Sequence, residues 1–295
     1  MPKVSVIIPC YNLGRYIEAA IDSILASNFK DLEIVVVNDG STDQYTNELL
    51  YNLKKQKTKI ITTYNQGVSE ARNVAIKASK GEYILPLDAD DVVYPEYITK
   101  AVKLLDNHPS TGIVYAKGEF FGLRNGIWEL PNYSLKSMLN DNCIPVCGMF
   151  RRSDYDKTKG YNPNMIYGYE DWDFWLSLLE LGVKVKKIDE ALFGYRQVRE
   201  SRTSAICGKK EASYLQLIQN HLKFYNDNVW LLSRPMFHLF LSRKNRKQLK
   251  KIKHRNKLIT VFVAIKWLPC DIIQLLKIYL MFPVYVYRIY KLIKY

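Results

Sequence analysis

The N-terminal region contains Val4-Ser5-Val6-Ile7-Ile8, a largely β-branched run that stops at Pro9-Cys10-Tyr11-Asn12. Such a run without polar alternation is typical of a strand buried on both faces in a parallel sheet. The segment after it spaces its apolar residues as on one face of a helix: Ile17, Ile21, Ile24 and Leu25. The order of strand, turn and helix predicts the first unit of an alternating α/β domain.

The same order repeats as far as residue 91. Three further apolar runs predict strands at residues 32–37, 60–63 and 83–86. The polar cluster 38–43 supplies a turn glycine and hydroxyl groups that are candidates for the N-cap of the next helix. Another helix is predicted from about Glu70 to Ser79. This alternation indicates a parallel α/β sheet with right-handed crossovers.

A cluster of acids, Leu87-Asp88-Ala89-Asp90-Asp91, follows the fourth strand. Ligands of open α/β sheets bind beyond the carboxyl ends of the strands. The residues at these ends include Asn12, Asp39, Gly67 and Asp88. Hard divalent ions bridge carboxylates to phosphates, so the pattern indicates a site for a nucleotide diphosphate. The alternative is structural, because acidic turns cap helices and Asp91 could serve the helix predicted near Tyr94.

Five motifs in this chain resemble, in order, those of glycosyltransferase family 2, the inverting enzymes with the GT-A fold. They are Val4-Ser5-Val6-Ile7-Ile8-Pro9-Cys10-Tyr11-Asn12, Val36-Val37-Asn38-Asp39-Gly40-Ser41-Thr42-Asp43, Asn65-Gln66-Gly67-Val68-Ser69-Glu70-Ala71-Arg72-Asn73, Leu87-Asp88-Ala89-Asp90-Asp91 and Gly168-Tyr169-Glu170-Asp171-Trp172-Asp173-Phe174-Trp175. The resemblance covers roughly the first 205 residues. It implies a Rossmann-like, mostly parallel central sheet flanked by helices, a nucleotide-sugar donor that is most often a uridine diphosphate (UDP) sugar, and Mn²⁺ or Mg²⁺ as cofactor.

The resemblance also implies a role for each matching residue on the donor side. Asp39 would meet the uracil ring with Tyr11 packed beside it; an Asx turn is the alternative role of Asp39. Arg72 would hold the base or the diphosphate, where the alternative is a surface cation. Asp88 would bind the ribose, and Asp90 together with Asp88 would bind the metal. The other nucleotide-sugar contacts implied are Pro9, Asn12, Gly67 and Ala89.

The fifth motif supplies the candidates for the acceptor side. By resemblance Asp171 is the base that deprotonates the acceptor hydroxyl, and Glu170 and Trp172 contact the acceptor. Consecutive acids at a helix start point to different sides, so one can face the substrate while the other caps or binds. A helix N-terminus enriched in acids by the helix dipole is the alternative, and both can hold together.

One motif departs from the family pattern. Many members carry Tyr-Arg-x-His after the acceptor region, and that histidine can join the metal. This chain has Tyr195-Arg196-Gln197-Val198, with a valine at the matching position. Either the metal site lacks that ligand or a cation takes over part of the metal's work on the diphosphate.

The positive charge of the chain is concentrated near its C-terminus. Residues 243–295 hold 14 of the 43 Lys and Arg residues and only one of the 29 Asp and Glu residues. Nearly all of the net charge of +14 therefore lies there. The apolar runs in this segment are shorter than the roughly 20 residues of a spanning helix. We expect a helical, basic and amphipathic extension that lies on an anionic membrane surface, with Lys250, Lys251, Arg255 and Trp267 as candidate contacts.

Two other interpretations of this basic segment stay open. It could bind nucleic acid, although its many apolar and aromatic residues and the near-neutral remainder of the chain argue against that. It could also be an intramolecular helical cap with a solvated cationic face. The sequence predicts three parts: a nucleotide-sugar-binding half at 1–92, an acceptor-binding and catalytic half at 93–205, and a membrane-associating tail at 206–295.

The cysteines and the N-terminus predict a cytoplasmic location, and the basic segment adds that the protein is peripheral on the inner face of the cell membrane. The five cysteines are an odd number without Cys-x-x-Cys, which argues against a disulfide framework or structural zinc. The N-terminal residues enter a strand directly, without the pattern of a secretory signal.

The motifs and the basic segment together predict a nonprocessive, inverting glycosyltransferase of bacterial surface-polysaccharide type. It would move a hexose or N-acetylhexosamine from a UDP-sugar to a saccharide acceptor linked to a polyprenyl diphosphate, in O-antigen, capsule or exopolysaccharide synthesis. A protein or soluble acceptor is one alternative. A processive synthase would carry Gln-x-x-Arg-Trp and several spanning helices, and this sequence has neither. A noncatalytic membrane or nucleic-acid binding protein would not need the intact acids Asp39, Asp88, Asp90 and Asp171.

Overall fold

The structure is a computed structural model in which residues 1–198 and 207–241 are described. The chain divides into two compact units, residues 1–221 and 222–295. The domain boundaries predicted at residues 92 and 205 stay predictions. The predicted membrane contacts Lys250, Lys251, Arg255 and Trp267 lie outside the described residues.

The first unit begins with the predicted alternation of strands and helices. Its elements are β1 (Val4–Cys10), α1 (Gly14–Leu25), β2 (Leu32–Asp39), α2 (Gln44–Asn52), β3 (Thr58–Thr63), α3 (Val68–Ala78) and β4 (Tyr83–Pro86). Strand β1 pairs in parallel with β2 and β4, and β2 pairs in parallel with β3. The carboxyl ends of these strands therefore meet at one edge of the sheet, as predicted.

The rest of the first unit extends the same sheet. Its elements are β5 (Val92–Val93), α4 (Tyr97–Asn107), β6 (Thr111–Gly122), β7 (Gly126–Trp128), α5 (Leu135–Met138), β8 (Met149–Arg151), α6 (Arg152–Tyr155), α7 (Glu170–Glu180), β9 (Lys184–Gln197) and α8 (Lys210–Asn220). Strand β8 is antiparallel to β4 and β6, while β9 is parallel to β6 and antiparallel to β5. The resulting order is β3-β2-β1-β4-β8-β6-β9-β5, with β7 paired to β6. The predicted α/β sheet flanked by helices is confirmed.

The sheet core is built from the apolar runs seen in the sequence. All seven residues of β1 are buried. Helix α1 packs with its predicted apolar stripe inward, including Ile17, Ile21 and Ile24. Because β1 lies in the middle of the parallel strands and is covered on both faces, the position of its carboxyl end is fixed by packing.

The hydroxyl N-cap candidates for α2 and the alternative capping role of Asp91 are both wrong. The N-cap of α2 is the carboxylate of Asp43, which accepts a hydrogen bond from Thr46 N at 3.0 Å, and not a hydroxyl group. Helix α4 begins at Tyr97 without a side-chain cap. Asp91 accepts a hydrogen bond from Arg196 N at 2.9 Å instead of capping α4.

The described part of the second unit contains two short helices, α9 (Leu222–Asp227) and α10 (Arg234–Phe240). Across the described ranges 1–198 and 207–241, every helix is too short or too polar to cross a membrane.

Candidate active site

The carboxyl ends of β1, β2 and β4 open onto a cleft of about 1750 Å³, which is also lined by β6, β7, β9 and the start of α7. The predicted site residues that line it are Pro9, Tyr11, Asn12, Asp39, Arg72, Asp88, Ala89, Asp90, Glu170 and Asp171. Two others do not. Gly67 donates its backbone N–H to Asp39 and does not itself line the cleft, and Trp172 is fully buried.

Asp39 ties the end of β2 to the start of α3. Its two carboxylate oxygens accept hydrogen bonds from Gln66 N and Gly67 N, both at 2.9 Å. Gly67 has a φ of 89°, a conformation that a side chain would strain. The backbone donors to Asp39 are therefore distant in the chain and do not form the Asx turn considered for it, while its neighbour Asn38 accepts from Ser41 N, three residues further on, at 3.1 Å. Oδ1 has a second, longer contact with Thr63 Oγ1 at 3.5 Å, whereas Oδ2 keeps a lone pair that can accept a further hydrogen bond in the cleft.

Asn12 organises the loop after β2. Its side-chain oxygen accepts from Thr42 N at 2.8 Å and Asp43 N at 2.9 Å, while its Nδ2 donates to Thr42 Oγ1. Asn12 itself has a positive φ of 56°, which asparagine tolerates better than most residues. This turn leaves the Tyr11 ring exposed at the cleft. The amide of Asn12 is therefore used to shape the site.

Arg72 is buried between two carboxylates. Its Nη2 donates to Asp88 Oδ1 at 2.7 Å and its Nη1 to Glu170 Oε1 at 2.9 Å. Burial opposes the charged guanidinium, but Asp88 and Glu170 outweigh that and raise its pKa. The structure therefore places Arg72 as a link between the end of β4 and the start of α7. It does not place Arg72 on the surface, so the surface-cation alternative is wrong.

The acids after β4, Asp88, Asp90 and Asp91, lie close together, and nearby positive charge does not balance their negative charge fully. Burial, with the negative charge of Asp88 added, raises the pKa of Asp90 to about 6. Burial and the charges of Asp90 and Asp88 likewise raise the pKa of Asp91. Arg196 closes this turn onto β9, since its Nε donates to the Asp90 carbonyl at 2.8 Å and its backbone N donates to Asp91. Apart from Arg196, a further cation bound near Asp90 would stabilise the ionised form of its carboxylate.

The acids at the start of α7 point in different directions, as predicted. Glu170 contacts Arg72, whereas Asp171 Oδ2 accepts a hydrogen bond from Asn142 Nδ2 at 2.9 Å. Burial and the charge of Glu170 raise the pKa of Asp171 to about 6, although Arg72 opposes the shift. A carboxylate with this pKa is a stronger base than an ordinary aspartate and is still ionised at neutral pH.

Trp172 does not reach the cleft. The indole is fully buried, and its Nε1 donates to the Met138 carbonyl at 2.8 Å. The acceptor contact predicted for Trp172 is therefore corrected to a packing role beneath Asp171, because the first turn of α7 directs residue 172 toward α5.

Comparison with known proteins identifies the family of the chain. A family model described as glycosyl transferase family 2 matches residues 5–161, more than half of the chain. The chain belongs to glycosyltransferase family 2. It is an enzyme of the glycosyltransferase class.

One similar curated protein is the chondroitin synthase of Pasteurella multocida, 30% identical over 200 residues. This match covers 65% of the present glycosyltransferase but only 20% of the synthase. Among solved structures, residues 1–349 of S. aureus TarS in complex with UDP-GlcNAc give a TM-score of 0.64 at 21% identity, covering 90% of this chain and 79% of that one. The mannosyltransferase PcManGT from Pyrobaculum calidifontis, in complex with GDP-Man and Mn²⁺, gives a TM-score of 0.57 at 17% identity. This match covers 99% of the present chain and 85% of that chain. At these identities the structures show that the two share the GT-A fold with this glycosyltransferase.

Two polar residues of the glycosyltransferase cleft escape sequence reasoning. Asn142 contacts Asp171 from a loop 29 residues earlier in the chain. Arg196 lies in the Tyr195-Arg196-Gln197-Val198 motif. Its contacts with Asp90 and Asp91 are visible only in the structure. The guanidinium of Arg196 lies over the rings of Phe121, at 4.3 Å from the centroid, and Tyr16, at 5.0 Å.

Aromatic rings form the wall of the cleft on the β6, β7 and β9 side. Trp128 and Tyr195 stack with their centroids 4.9 Å apart, and Phe120 packs against both. All three line the cleft. Phe120, Trp128 and Tyr195 have no regular spacing in the sequence, either among themselves or from the acidic motifs. The sequence therefore did not predict that these three rings line the same cleft.

The protein side chains near Asp90 suit a metal ion that is held jointly by protein carboxylates and the phosphates of a bound substrate. Among the described residues, no three His, Cys, Asp or Glu side chains converge as a metal site. Val198 lines the cleft where many family members have histidine. Mg²⁺ and Mn²⁺ commonly take one or two protein carboxylates plus substrate phosphates and water. Asp90, a partly buried carboxylate with a raised pKa, fits such a partial set.

Proposed function

We propose that this glycosyltransferase transfers a sugar from a UDP-sugar to a saccharide hydroxyl with inversion, using Asp171 as the base. The observation that carries the proposal is the placement of two carboxylates with raised pKa in one cleft. Asp90 lies at the end of β4, and Asp171 lies at the start of α7. The first suits a cation on a diphosphate, and the second suits the removal of a proton.

The donor lies over the ends of β1, β2 and β4. Asp39 accepts the imide N–H of uracil with a lone pair that its backbone contacts leave free, and the exposed Tyr11 ring packs against the base. Asp88 is about one-third exposed despite its contact with Arg72, so it still reaches a ribose hydroxyl. The fold shared with TarS, which was solved with UDP-GlcNAc, supports a uridine nucleotide.

Asp90 would hold a divalent cation, Mn²⁺ or Mg²⁺, with Asp88 beside it. When bound, the ion would neutralise charge on the diphosphate leaving group. The Mn²⁺ bound to PcManGT, which shares the fold, supports this cofactor class. The chain's own contribution is the Asp88–Asp91 turn, which Arg196 fixes to β9 through two hydrogen bonds.

Asp171 receives the proton of the acceptor hydroxyl. The acceptor oxygen forms its bond to the anomeric carbon while the bond from that carbon to the diphosphate oxygen breaks, and UDP leaves. Attack opposite to the leaving group inverts the anomeric configuration. The proton transfers to a carboxylate oxygen of Asp171, whose raised pKa improves its basicity without protonating it at neutral pH.

A donor screen tests this function. Purified protein is incubated with a panel of UDP-sugars, with GDP-mannose as a comparison, in Mg²⁺ or Mn²⁺, and free nucleotide is measured with and without oligosaccharide acceptors. We expect release from a UDP-sugar, a loss of about 10²-fold or more in Asp171→Asn, and normal rates in the control Asp189→Asn, an exposed aspartate outside the cleft. Equal rates in wild type and Asp171→Asn would contradict the role of Asp171. No release from any donor would contradict the function.

The acceptor is a saccharide linked to a membrane lipid such as a polyprenyl diphosphate, in bacterial surface-polysaccharide synthesis, and the enzyme lies on the inner face of the membrane. The concentrated charge of residues 243–295 supports this, since each Lys or Arg near an anionic leaflet contributes about 1 kcal/mol, screened by salt. The similarity to a chondroitin synthase supports a polysaccharide product.

Vesicle flotation tests the membrane part. The full chain should float with anionic vesicles at low salt and less at high salt, and a chain ending at Ser242 should not float. If the full chain stays unbound at low salt, the basic segment has another role, and a soluble or protein acceptor becomes the better hypothesis.

A further inference from the structure

The loop between α5 and β8 brings an amide to the candidate base. Asn142 Nδ2 lies 2.9 Å from Asp171 Oδ2. On its other side, Asn142 Oδ1 accepts a hydrogen bond from Ile144 N at 3.2 Å. A backbone N–H can only donate, so this contact fixes the oxygen on the loop side and the NH₂ group on the carboxylate side. The amide cannot flip without losing both bonds.

The same loop residue is anchored through its main chain. Asn142 N donates to Asp141 Oδ1 at 3.0 Å, and both Asn142 and Asp141 line the cleft. Asp171 is thus held from outside its own helix by a side chain whose position is fixed by two backbone contacts. The hydrogen bond engages Oδ2 of Asp171, and Asp171 lines the cleft that a substrate would enter.

We propose that Asn142 is a positioning residue for the transfer reaction: it fixes the orientation of the Asp171 carboxylate toward the acceptor hydroxyl. The inference rests on the proposed function and names a residue that none of the five family motifs contains. Asn142 acts through Asp171 and needs no contact with the substrate.

The electrostatic surroundings of Asp171 give this role a measurable consequence. The charged and titratable groups facing the carboxylate or its amide partner are Glu170, Arg72, Asp88, Tyr161 and Asp141. Glu170 and Asp88 disfavour the ionised carboxylate, and Arg72 favours it. A donated hydrogen bond also favours the ionised form. Loss of the Asn142 amide therefore raises the pKa of Asp171.

Two substitutions distinguish the effect of the size of the Asn142 side chain from the effect of the hydrogen bond that it donates to Asp171. Asn142→Ala removes the side chain, whereas Asn142→Asp keeps the size and the contact to Ile144 N but replaces the donor with a negative oxygen. Asn140→Ala is the matched control, because Asn140 lies in the same loop, outside the cleft, and donates to the Lys136 carbonyl. Binding of UDP, measured by calorimetry, should be unchanged in all three variants, since Asn142 lies on the acceptor side.

The first readout does not depend on activity. The titration of Asp171 is followed by NMR in protein labelled with ¹³C at the aspartate carboxyl carbon, with its signal assigned by its absence in Asp171→Asn. We expect the pKa to rise by about 1 pH unit in Asn142→Ala and by more in Asn142→Asp, with no change in Asn140→Ala.

The second readout is the pH profile of UDP release from whichever UDP-sugar the wild type hydrolyses. The acid limb should move upward by the same amount, and the plateau at high pH should fall about 10-fold as orientation is lost. Unchanged titration of Asp171 in both Asn142 variants, or an equal change in Asn140→Ala, would overturn the inference. If the wild type releases no nucleotide, the proposed function fails, and the NMR titration alone decides whether Asn142 controls Asp171.

Discussion

Replacement of Arg72 tests the most unusual electrostatic feature of the cleft. The guanidinium is only 1% exposed and contacts Asp88 on β4 and Glu170 on α7. If it serves chiefly to join these elements, Arg72→Ala should lower the free energy of unfolding strongly. If it serves chiefly to bind a nucleotide, the variant should lose UDP affinity while keeping its stability.

The size of the effect follows from the burial of the two partners. Glu170 is 8% exposed, so removal of Arg72 takes an ion-pair partner away from a buried carboxylate, and breaking a buried pair in this way typically costs about 3–5 kcal/mol. Asp88 is 34% exposed, and solvent screens its pair to about 1 kcal/mol or less. We expect a total loss of about 4 kcal/mol. With a urea dependence of about 3 kcal/mol per M, the unfolding midpoint should fall by more than 1 M.

Urea unfolding followed by circular dichroism measures this loss. Arg72→Lys should be intermediate, because one ammonium cannot donate to both carboxylates in the same geometry. In the Arg72→Ala background, Glu170→Gln should recover part of the loss by removing the buried negative charge that had been paired with Arg72. Arg124→Ala is the control, since Arg124 is exposed and lies over the Phe120 ring. A loss below about 1 kcal/mol in Arg72→Ala would refute the linking role.

Three further outcomes follow from the raised pKa values and the acids of the cleft. Asp90→Asn should lower transfer about 10²-fold or more and abolish its dependence on added Mn²⁺ or Mg²⁺, measured as nucleotide release with and without chelator; unchanged activity in excess chelator would contradict the metal role. Asp171→Asn should keep UDP affinity, measured by calorimetry, while the wild-type rate should fall as pH drops through about 6 and Asp171 is protonated. Although burial opposes the charged form, ion pairs with Asp173 and Glu180 raise the pKa of His221 to about 9, above the unfolded value. His221→Gln should therefore lower stability by about 2 kcal/mol at pH 6, and the difference should disappear as pH rises through 9, as judged by urea unfolding across pH.

The sheet and the donor side of the cleft were predictable because their signals are local. Buried parallel strands need continuous apolar runs such as residues 32–37, and their carboxyl ends meet at one edge whatever the loops do. Asp39 and Asp88 could therefore be placed together before any coordinates. The separate directions of Glu170 and Asp171 also followed from the helix geometry alone.

Contacts between distant parts of the chain were not predictable in this way. Arg72 meets Glu170 across 98 residues, and no periodicity encodes that pairing. Asn142 stands in a loop whose path depends on the packing of α5 against its surroundings. The buried position of Trp172 did have a signal, because Trp172, Trp175, Leu176 and Leu179 form an apolar stripe at i, i+3, i+4 and i+7.

The placement of Arg72 explains how one cleft can hold two acids with different tasks. Its guanidinium is occupied by Asp88 and Glu170, and the carboxylates with a raised pKa that line the cleft are Asp90 on one side and Asp171 on the other. Asp90 would be satisfied by a divalent cation that arrives with a diphosphate, whereas Asp171 would be satisfied by a proton taken from an acceptor. Arg72 also opposes the rise in the pKa of Asp171, which keeps this base ionised at neutral pH. The buried arginine therefore links β4 to α7 and leaves Asp90 and Asp171 as the carboxylates for the cation and the proton of the proposed reaction.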